Sequence, residues 1–300
     1  MPKLDLSQFR FPQKSPIKLD KLPTKIRDLY TDNEDYRAQL AAVRNDINEM
    51  QAQMYAHDRH AMLVVFQAMD AAGKDSTIEH VFSGVNPQGV EVHSFKAPSE
   101  EELNHDFLWR STTKLPTRGK IGVFNRSYYE EVLICKVHPE IIQKYQRLPE
   151  AKTKDMKKLY DQRYESIADF EKHLARNGTH VVKFFLHISK QEQAERFLAR
   201  IEDQSKNWKF NAGDLAEREH WDEYMEAYED TIRKTGTPDS PWYVIPGDSK
   251  KNMRLIVATV LRYEMRKLHL EWPTFPEDKR AGMELAKKEL AKEVGKAAKG

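Results

Sequence analysis

An apolar run, Met62–Val65, passes without a break into Phe66-Gln-Ala-Met-Asp-Ala-Ala-Gly-Lys-Asp-Ser-Thr77. A β-like run, a turn carrying Gly-Lys and a helical stretch in that order make a strand–loop–helix unit, the building block of parallel α/β folds. Glycine lets the backbone turn and present amide hydrogens to an oxyanion, and the helix adds positive potential at its N-terminus. Lys74 adds a mobile charge at a transferring phosphoryl group. Only Gly73-Lys74 keeps the usual phosphate-loop (Walker A) pattern. Ala68 stands at the first glycine, and Asp75 replaces the hydroxyl residue that normally helps to hold magnesium. The loop assigns phosphate contacts to Ala71, Ala72, Gly73, Lys74, Asp75 and Ser76.

Five β-like runs alternate with helical stretches: Met62–Phe66, Val90–Phe95, Ile121–Phe124, His180–His187 and Trp242–Ile245. Such alternation predicts an α/β fold with a parallel sheet covered by helices on both faces, and with ligands beyond the carboxyl ends of the strands. Residues 1–30 are basic and punctuated by proline, and are expected to form an extended arm. Tyr36, Leu40, Val43, Ile47, Met50 and Met54 step by three and four, marking a core-facing helix stripe. Ser99-Glu-Glu-Glu102 and Ser189-Lys-Gln-Glu192 read as capping boxes. The main domain is expected over 31–270, and a Lys/Glu/Ala-rich helical tail over 271–300.

Lys+Arg at 49 and Asp+Glu at 47 leave a net charge of +2, which argues against a tail-driven nucleic-acid binder but permits a local basic groove. Cys135 is the only cysteine, so no intrachain disulfide forms and a reducing compartment fits. The start has no apolar signal core and no stretch approaches membrane-spanning length. The expectation is a cytoplasmic protein with no nucleic-acid or membrane partner.

Around the loop, several residues suit phosphoryl chemistry. Asp70 sits inside the loop, where an acid is either a magnesium ligand, a group that orients the acceptor oxygen, or a turn-stabilising side chain. The third β run ends Asn125-Arg126-Ser-Tyr-Tyr-Glu130. Nucleotide kinases of this architecture carry Asp-Arg there, so Asn125 leaves the carboxylate's work to Asp70 or another residue. Arg126 offers a fork of donors to phosphate oxygens, and Glu130 could face the same site. Lys96, Asp106 and Arg110 could form an acceptor wall, and Lys250 and Arg254 could line the nucleotide side. Arg196, Arg200, Lys206, Lys209 and Arg218 look like the cations of a kinase lid over about 196–220, closing over phosphates.

These segments together resemble the polyphosphate kinase 2 family. The stretches that carry the resemblance are Phe66–Asp75, Phe124–Glu130, Lys183–Lys190, Asn207-Trp-Lys-Phe210 with Gly213-Asp214, and Pro241–Pro246, in order, over about residues 60–270. The resemblance implies a P-loop kinase-like three-layer sandwich with a five-stranded parallel sheet and a helical lid. It implies transfer of a terminal phosphoryl group from inorganic polyphosphate to a nucleotide, or the reverse, with Mg2+ (or Mn2+) as cofactor. On that reading Asp70 binds the metal and positions the acceptor, Lys74 and Arg126 neutralise the transferring group, and Glu130 completes the catalytic set. The Asn125–Glu130 stretch looks most like the class, called class III, that accepts both nucleoside mono- and diphosphates, and a homo-oligomer (dimer or tetramer) is expected. Lys251 stands where relatives commonly carry an aromatic at the pocket edge, and Tyr128 where histidine is frequent. The competing reading is an ATP-dependent, thymidylate-kinase-like nucleotide kinase, which more often keeps Gly-Lys-Ser/Thr and Asp-Arg.

Overall fold

The computed structural model describes residues 4–11, 16–209, 211 and 213–297, with the side chains of Lys209 and 295–297 outside the described residues. Phe210, part of one family-like stretch, also lies outside them. The strands are β1 (Arg10–Phe11), β2 (Ala61–Gln67), β3 (Val90–Ser94), β4 (Ile121–Asn125), β5 (Thr179–His187) and β6 (Trp242–Pro246). The last five are the expected runs, and they pair with one another in parallel. The spatial order is β1-β6-β5-β2-β4-β3, a mixed sheet of six strands rather than the five parallel ones expected. The extra strand comes from the N-terminal segment, where Arg10 lies opposite Tyr243 and Phe11 opposite Trp242, antiparallel. A two-residue strand is too short to show any period in sequence.

Every residue of β2 is buried, as a central strand covered on both faces requires. The longer helices are α1 (Asn33–His57), α2 (Lys74–Phe82), α3 (Met156–Arg176), α4 (Lys190–Glu202), α5 (Trp221–Thr235), α6 (Lys250–Arg266) and α7 (Glu277–Ala297). Helices α1, α2 and α6 pack together, while α3 packs on β5 and α5. Asp32 caps α1 by accepting from the Asp35 amide at 2.9 Å, and its stripe Tyr36, Leu40, Val43, Ile47 and Met54 is buried in the core. Ser99 and Glu102 form the full capping box. At α4 only half of it forms. Ser189 accepts from the Glu192 amide at 3.0 Å, but the Ser189 amide donates to Asp248 at 2.8 Å, because Glu192 is taken by Arg196.

One compact unit covers Met1–Leu270 and a second Glu271–Gly300. The N-terminal segment belongs to the first unit: Phe9, Ile17 and Leu19 are buried, and the Leu19 amide donates to Glu229 at 2.9 Å. In the second unit, residues 277–294 of α7 are exposed. Among the described residues, no helix is long and apolar enough to cross a membrane.

Strands β3 and β4 lie on one side of β2, and β5 and β6 on the other. The chain therefore runs outward from β2 to β3, then reverses and crosses to the other side of β2 between β4 and β5. A crevice opens at such a reversal, beyond the carboxyl ends of the strands. The loop 68–73 leaves β2 at that place.

Candidate active site

The loop turns through two left-handed residues. Gly73 has φ 96° and caps α2, and Ala71 has φ 60°. A Cβ on Gly73 would meet Met253 at 3.4 Å and Arg196 at 3.5 Å, both ordinary contacts. The backbone angle, not lack of space, thus calls for glycine there. Lys74 is 9% exposed, and its ammonium donates to the carbonyls of Ala68 (2.8 Å) and Met69 (3.3 Å). Burial pushes its pKa below the usual lysine range and the Arg126 charge pushes the same way, while Asp70, Glu130 and Asp75 pull it back. An incoming phosphate would supply the missing negative charge.

Arg126 follows β4, also left-handed with φ 62°. A non-glycine residue in this region stores strain that the surroundings must enforce. Its amide donates to Phe66 at 3.0 Å, fixing the turn to β2. Its guanidinium donates to the Asp70 carboxylate at 2.7 Å, so the two half-exposed side chains join the loop to the end of β4. Burial opposes the Arg126 charge, but Glu130 and Asp70 outweigh it and hold the pKa above the usual arginine range. Burial pushes the Glu130 carboxyl up, against the pull of Arg126 and Lys74. With its amide nitrogen toward Glu130, Gln67 donates at 2.9 Å and its oxygen accepts from Ser127. A narrow cavity lies here, lined by Asp70, Arg126, Glu130, Asp214, Glu217 and Tyr228 among others.

Asn125, a candidate for the nucleotide side, ends β4. Its amide donates to Asp75 at 2.6 Å, across the start of α2. The usual pairing of a helix hydroxyl with a strand-end carboxylate is thus exchanged: the acid is on the helix and the neutral partner on the strand. Asp75 thereby keeps a carboxylate beside the loop that Asn125 alone would have removed.

The remaining cations divide differently from their sequence assignment. Arg196 is 7% exposed and folds under the loop instead of capping it. Its guanidinium donates to Glu192 (2.7 Å) and to the carbonyls of Ala72 (2.6 Å), Ala71 (3.4 Å) and Gly247 (2.6 Å). Arg200 pairs with Asp214 at 3.5 Å, and Lys206 pairs with Asp203. Arg218 donates to Gln193 at 2.7 Å and to the Lys190 carbonyl at 3.1 Å. The Lys209 side chain lies outside the described residues. Arg254, assigned to the nucleotide side, reaches the start of α2, and Lys250 stands one turn before it on α6. Arg254 donates to Ser76 at 3.4 Å, and Ser76 donates in turn to the Gly73 carbonyl at 3.4 Å. Burial lowers the Lys250 pKa, with Arg196, Arg254 and Lys206 adding repulsion against the pull of Glu192.

The wall of Lys96, Asp106 and Arg110 lies past β3, where the Phe95 amide donates to Asn125 at 3.0 Å. Arg110 donates to the Lys96 carbonyl at 2.7 Å and lies over Phe95 at 5.2 Å, so it braces the wall. Asp106 accepts from the Leu108 amide at 2.9 Å, a turn-forming role, while Lys96 is exposed. Lys251 lies over the rings of Tyr30 (5.2 Å) and Tyr36 (5.7 Å) and donates to Asn33. It ties α6 to the start of α1, which accounts for a lysine where an aromatic is common.

Sequence reading missed Gln67, Gln193 and the lining tyrosines. Gln193 stands three residues before Arg196 on one helix face, and Gln67 is the lone polar residue of an apolar strand. Both signals were present. Tyr224 and Tyr228 follow the same helical spacing as core residues, and nothing in the sequence separates them.

A central parallel strand, a lysine-bearing glycine loop and an opposing arginine define an α/β phosphoryl-transfer site. The family model described as polyphosphate kinase 2 matches residues 30–271, and the chain belongs to that family. It is 52% identical over 271 residues to the ADP-polyphosphate phosphotransferase of Rhodopseudomonas palustris, covering 90% of this chain and 93% of that one. It is 43% identical over 234 residues to the AMP/ADP-polyphosphate phosphotransferase of Meiothermus ruber, covering 78% and 82%. The crystal structure of polyphosphate kinase 2 from Arthrobacter aurescens superposes with a TM-score of 0.80 at 38% identity, covering 93% of this chain and 95% of that one.

Proposed function

We propose that the protein transfers the terminal phosphoryl group of inorganic polyphosphate to nucleoside mono- and diphosphates, AMP and ADP foremost and GMP and GDP by the same chemistry, reversibly. The names of its relatives support donor and acceptor. The observation that carries the reading is the loop itself, with Lys74 beneath it, Arg126 opposite, and Arg254 reaching Ser76.

Phosphoryl transfer needs positioning and charge neutralisation more than covalent help. In this reading the loop amides and the start of α2 bind the terminal phosphate, and Lys74 and Arg126 balance its charge. Lys250, Arg254 and the lid cations other than Arg196 hold the following units of the polymer, which carries about one negative charge per unit at neutral pH. Asp70 keeps Arg126 aimed at the transferring group. Among the described residues no cluster of three or more His, Cys, Asp or Glu side chains is built to hold a metal. That suits magnesium, which takes one or two carboxylates and completes its shell with phosphates and water. Asp70 and Asp75 fit as those carboxylates, and the ion would supply further neutralisation of the phosphate oxygens. We place the protein in the cytoplasm, where its buried thiol, Cys135, stays reduced.

The test is an incubation of purified protein with magnesium, AMP or ADP, and long-chain polyphosphate as sole donor. ADP and ATP are expected to accumulate, and a metal chelator is expected to stop them. Transfer only when a nucleoside triphosphate is the donor would instead establish an ordinary nucleotide kinase.

A further inference from the structure

Each carbonyl from Ala68 to Gly73 is turned toward a donor inside the protein. Lys74 takes Ala68 and Met69. Gln193 donates to Asp70 at 2.8 Å, and Arg196 to Ala71 and Ala72 at 3.4 and 2.6 Å. The Thr77 amide donates to Gly73 at 2.9 Å. In a planar trans peptide the N–H points opposite to the C=O of the same unit. Pulling the Asp70, Ala71 and Ala72 carbonyls inward therefore turns the amides of Ala71 and Gly73 away from α4, while the Ala72 amide closes the loop on the Met69 carbonyl at 3.3 Å. Amides aimed outward in this way form an anion-binding nest.

The two side chains that set three of these planes sit one turn apart on α4. Gln193 is 1% exposed and Arg196 is 7% exposed. A guanidinium has five N–H donors. Glu192, Ala71, Ala72 and Gly247 occupy four of Arg196's, leaving one for any other partner. Gln193 uses both ends of its amide. The nitrogen holds the Asp70 carbonyl, and the oxygen accepts from Arg218 at 2.7 Å.

We infer that Gln193 and Arg196 are positioning residues, which hold the phosphate loop with its carbonyls inward before the anion arrives, and that Gln193 links this setting to Arg218. Arg196 acts through the loop and not as a charge on the polymer. Lysine in its place keeps the charge but has no planar fork to span adjacent carbonyls. Glutamate in place of Gln193 keeps an acceptor for Arg218 but turns an acceptor toward the Asp70 carbonyl. The inference rests on the reading that this loop holds polyphosphate.

The experiment compares wild type, Arg196→Lys, Gln193→Glu and Gln193→Met. It measures steady-state constants for polyphosphate and ADP, and titrates polyphosphate binding at several salt concentrations. Each variant is expected to lose roughly 10-fold or more in kcat/KM for polyphosphate, as small misplacements of a positioning element do. The KM for ADP is expected to stay within about twofold of wild type. The salt dependence of Arg196→Lys binding is expected to match wild type, since no direct ionic contact is removed. Wild-type efficiency in Arg196→Lys would overturn the role of Arg196, and wild-type efficiency in both Gln193 variants that of Gln193. If wild type itself neither binds nor uses polyphosphate, the functional reading falls and takes this inference with it.

Discussion

Lys74→Met is expected to cut phosphoryl transfer by roughly 10²–10⁴-fold while the protein stays folded, the scale seen when a preorganised transition-state donor or charge is removed. The Lys74 ammonium lies under the loop within 2.8 Å of the Ala68 carbonyl, able to swing from loop carbonyls to a bound phosphate. Methionine has similar length but no charge and no donor. Burial disfavours the charged lysine, so the folded state holds its proton less tightly than the unfolded chain. The resulting penalty is fully present below the lowered pKa and is relieved as pH rises toward the unfolded value of about 10.4. At neutral pH the substitution removes that penalty, which offsets the two carbonyl bonds it breaks. Activity should therefore collapse with little change in Tm. Turnover near wild type would take Lys74 out of the reaction, and a large fall in Tm would recast it as a structural residue.

The second large effect is on stability. Lys183 of β5 and Glu171 of α3 form an ion pair in which both side chains are 0% exposed. Glu171 also accepts from Tyr128 (2.8 Å) and Tyr129 (2.7 Å), and Lys183 donates to the Thr235 carbonyl at 2.8 Å. Burial lowers the Lys183 pKa, and the adjacent Glu171 carboxylate holds its proton in place. The two tyrosines stand between Ser127 and Glu130, so this network anchors the turn that aims Arg126 and Glu130. Lys183→Met leaves the Glu171 charge buried without a counterion, and is expected to cost about 3–5 kcal/mol. For a unit of this size that lowers Tm by roughly 10 °C. Adding Glu171→Gln keeps an acceptor for both tyrosines and removes the charge, and is expected to restore most of the loss. Equal stability of the single and double variants would show that the charge is not what the fold depends on.

The parts of this molecule legible in the sequence are those set by local chemistry. A covered parallel strand must be apolar along its whole length, so β2 and its neighbours announce themselves. A loop that turns toward an anion needs glycine and a cation, so Gly73 and Lys74 stand out. What could not be read is direction. Arg196 and Arg200 share a helix face in sequence, yet one folds beneath the loop and the other pairs with Asp214. Lys250 and Arg254 follow the last strand, and only the packing of α6 against α2 brings Arg254 to Ser76. The pairing of Asn125 with Asp75 joins residues fifty positions apart, visible only once β4 lies beside β2. Strand β1 was hidden for another reason: two residues that borrow their partner from β6 have no pattern of their own.

The most direct measurement is a crystal structure of the protein with a short inorganic polyphosphate bound. The terminal phosphate is expected within hydrogen-bond distance of the Gly73 amide and the Lys74 ammonium, with Arg126 on its far side and the rest of the chain running past Arg254 and Lys250. Polyphosphate bound elsewhere while the loop holds none would contradict the account at its centre.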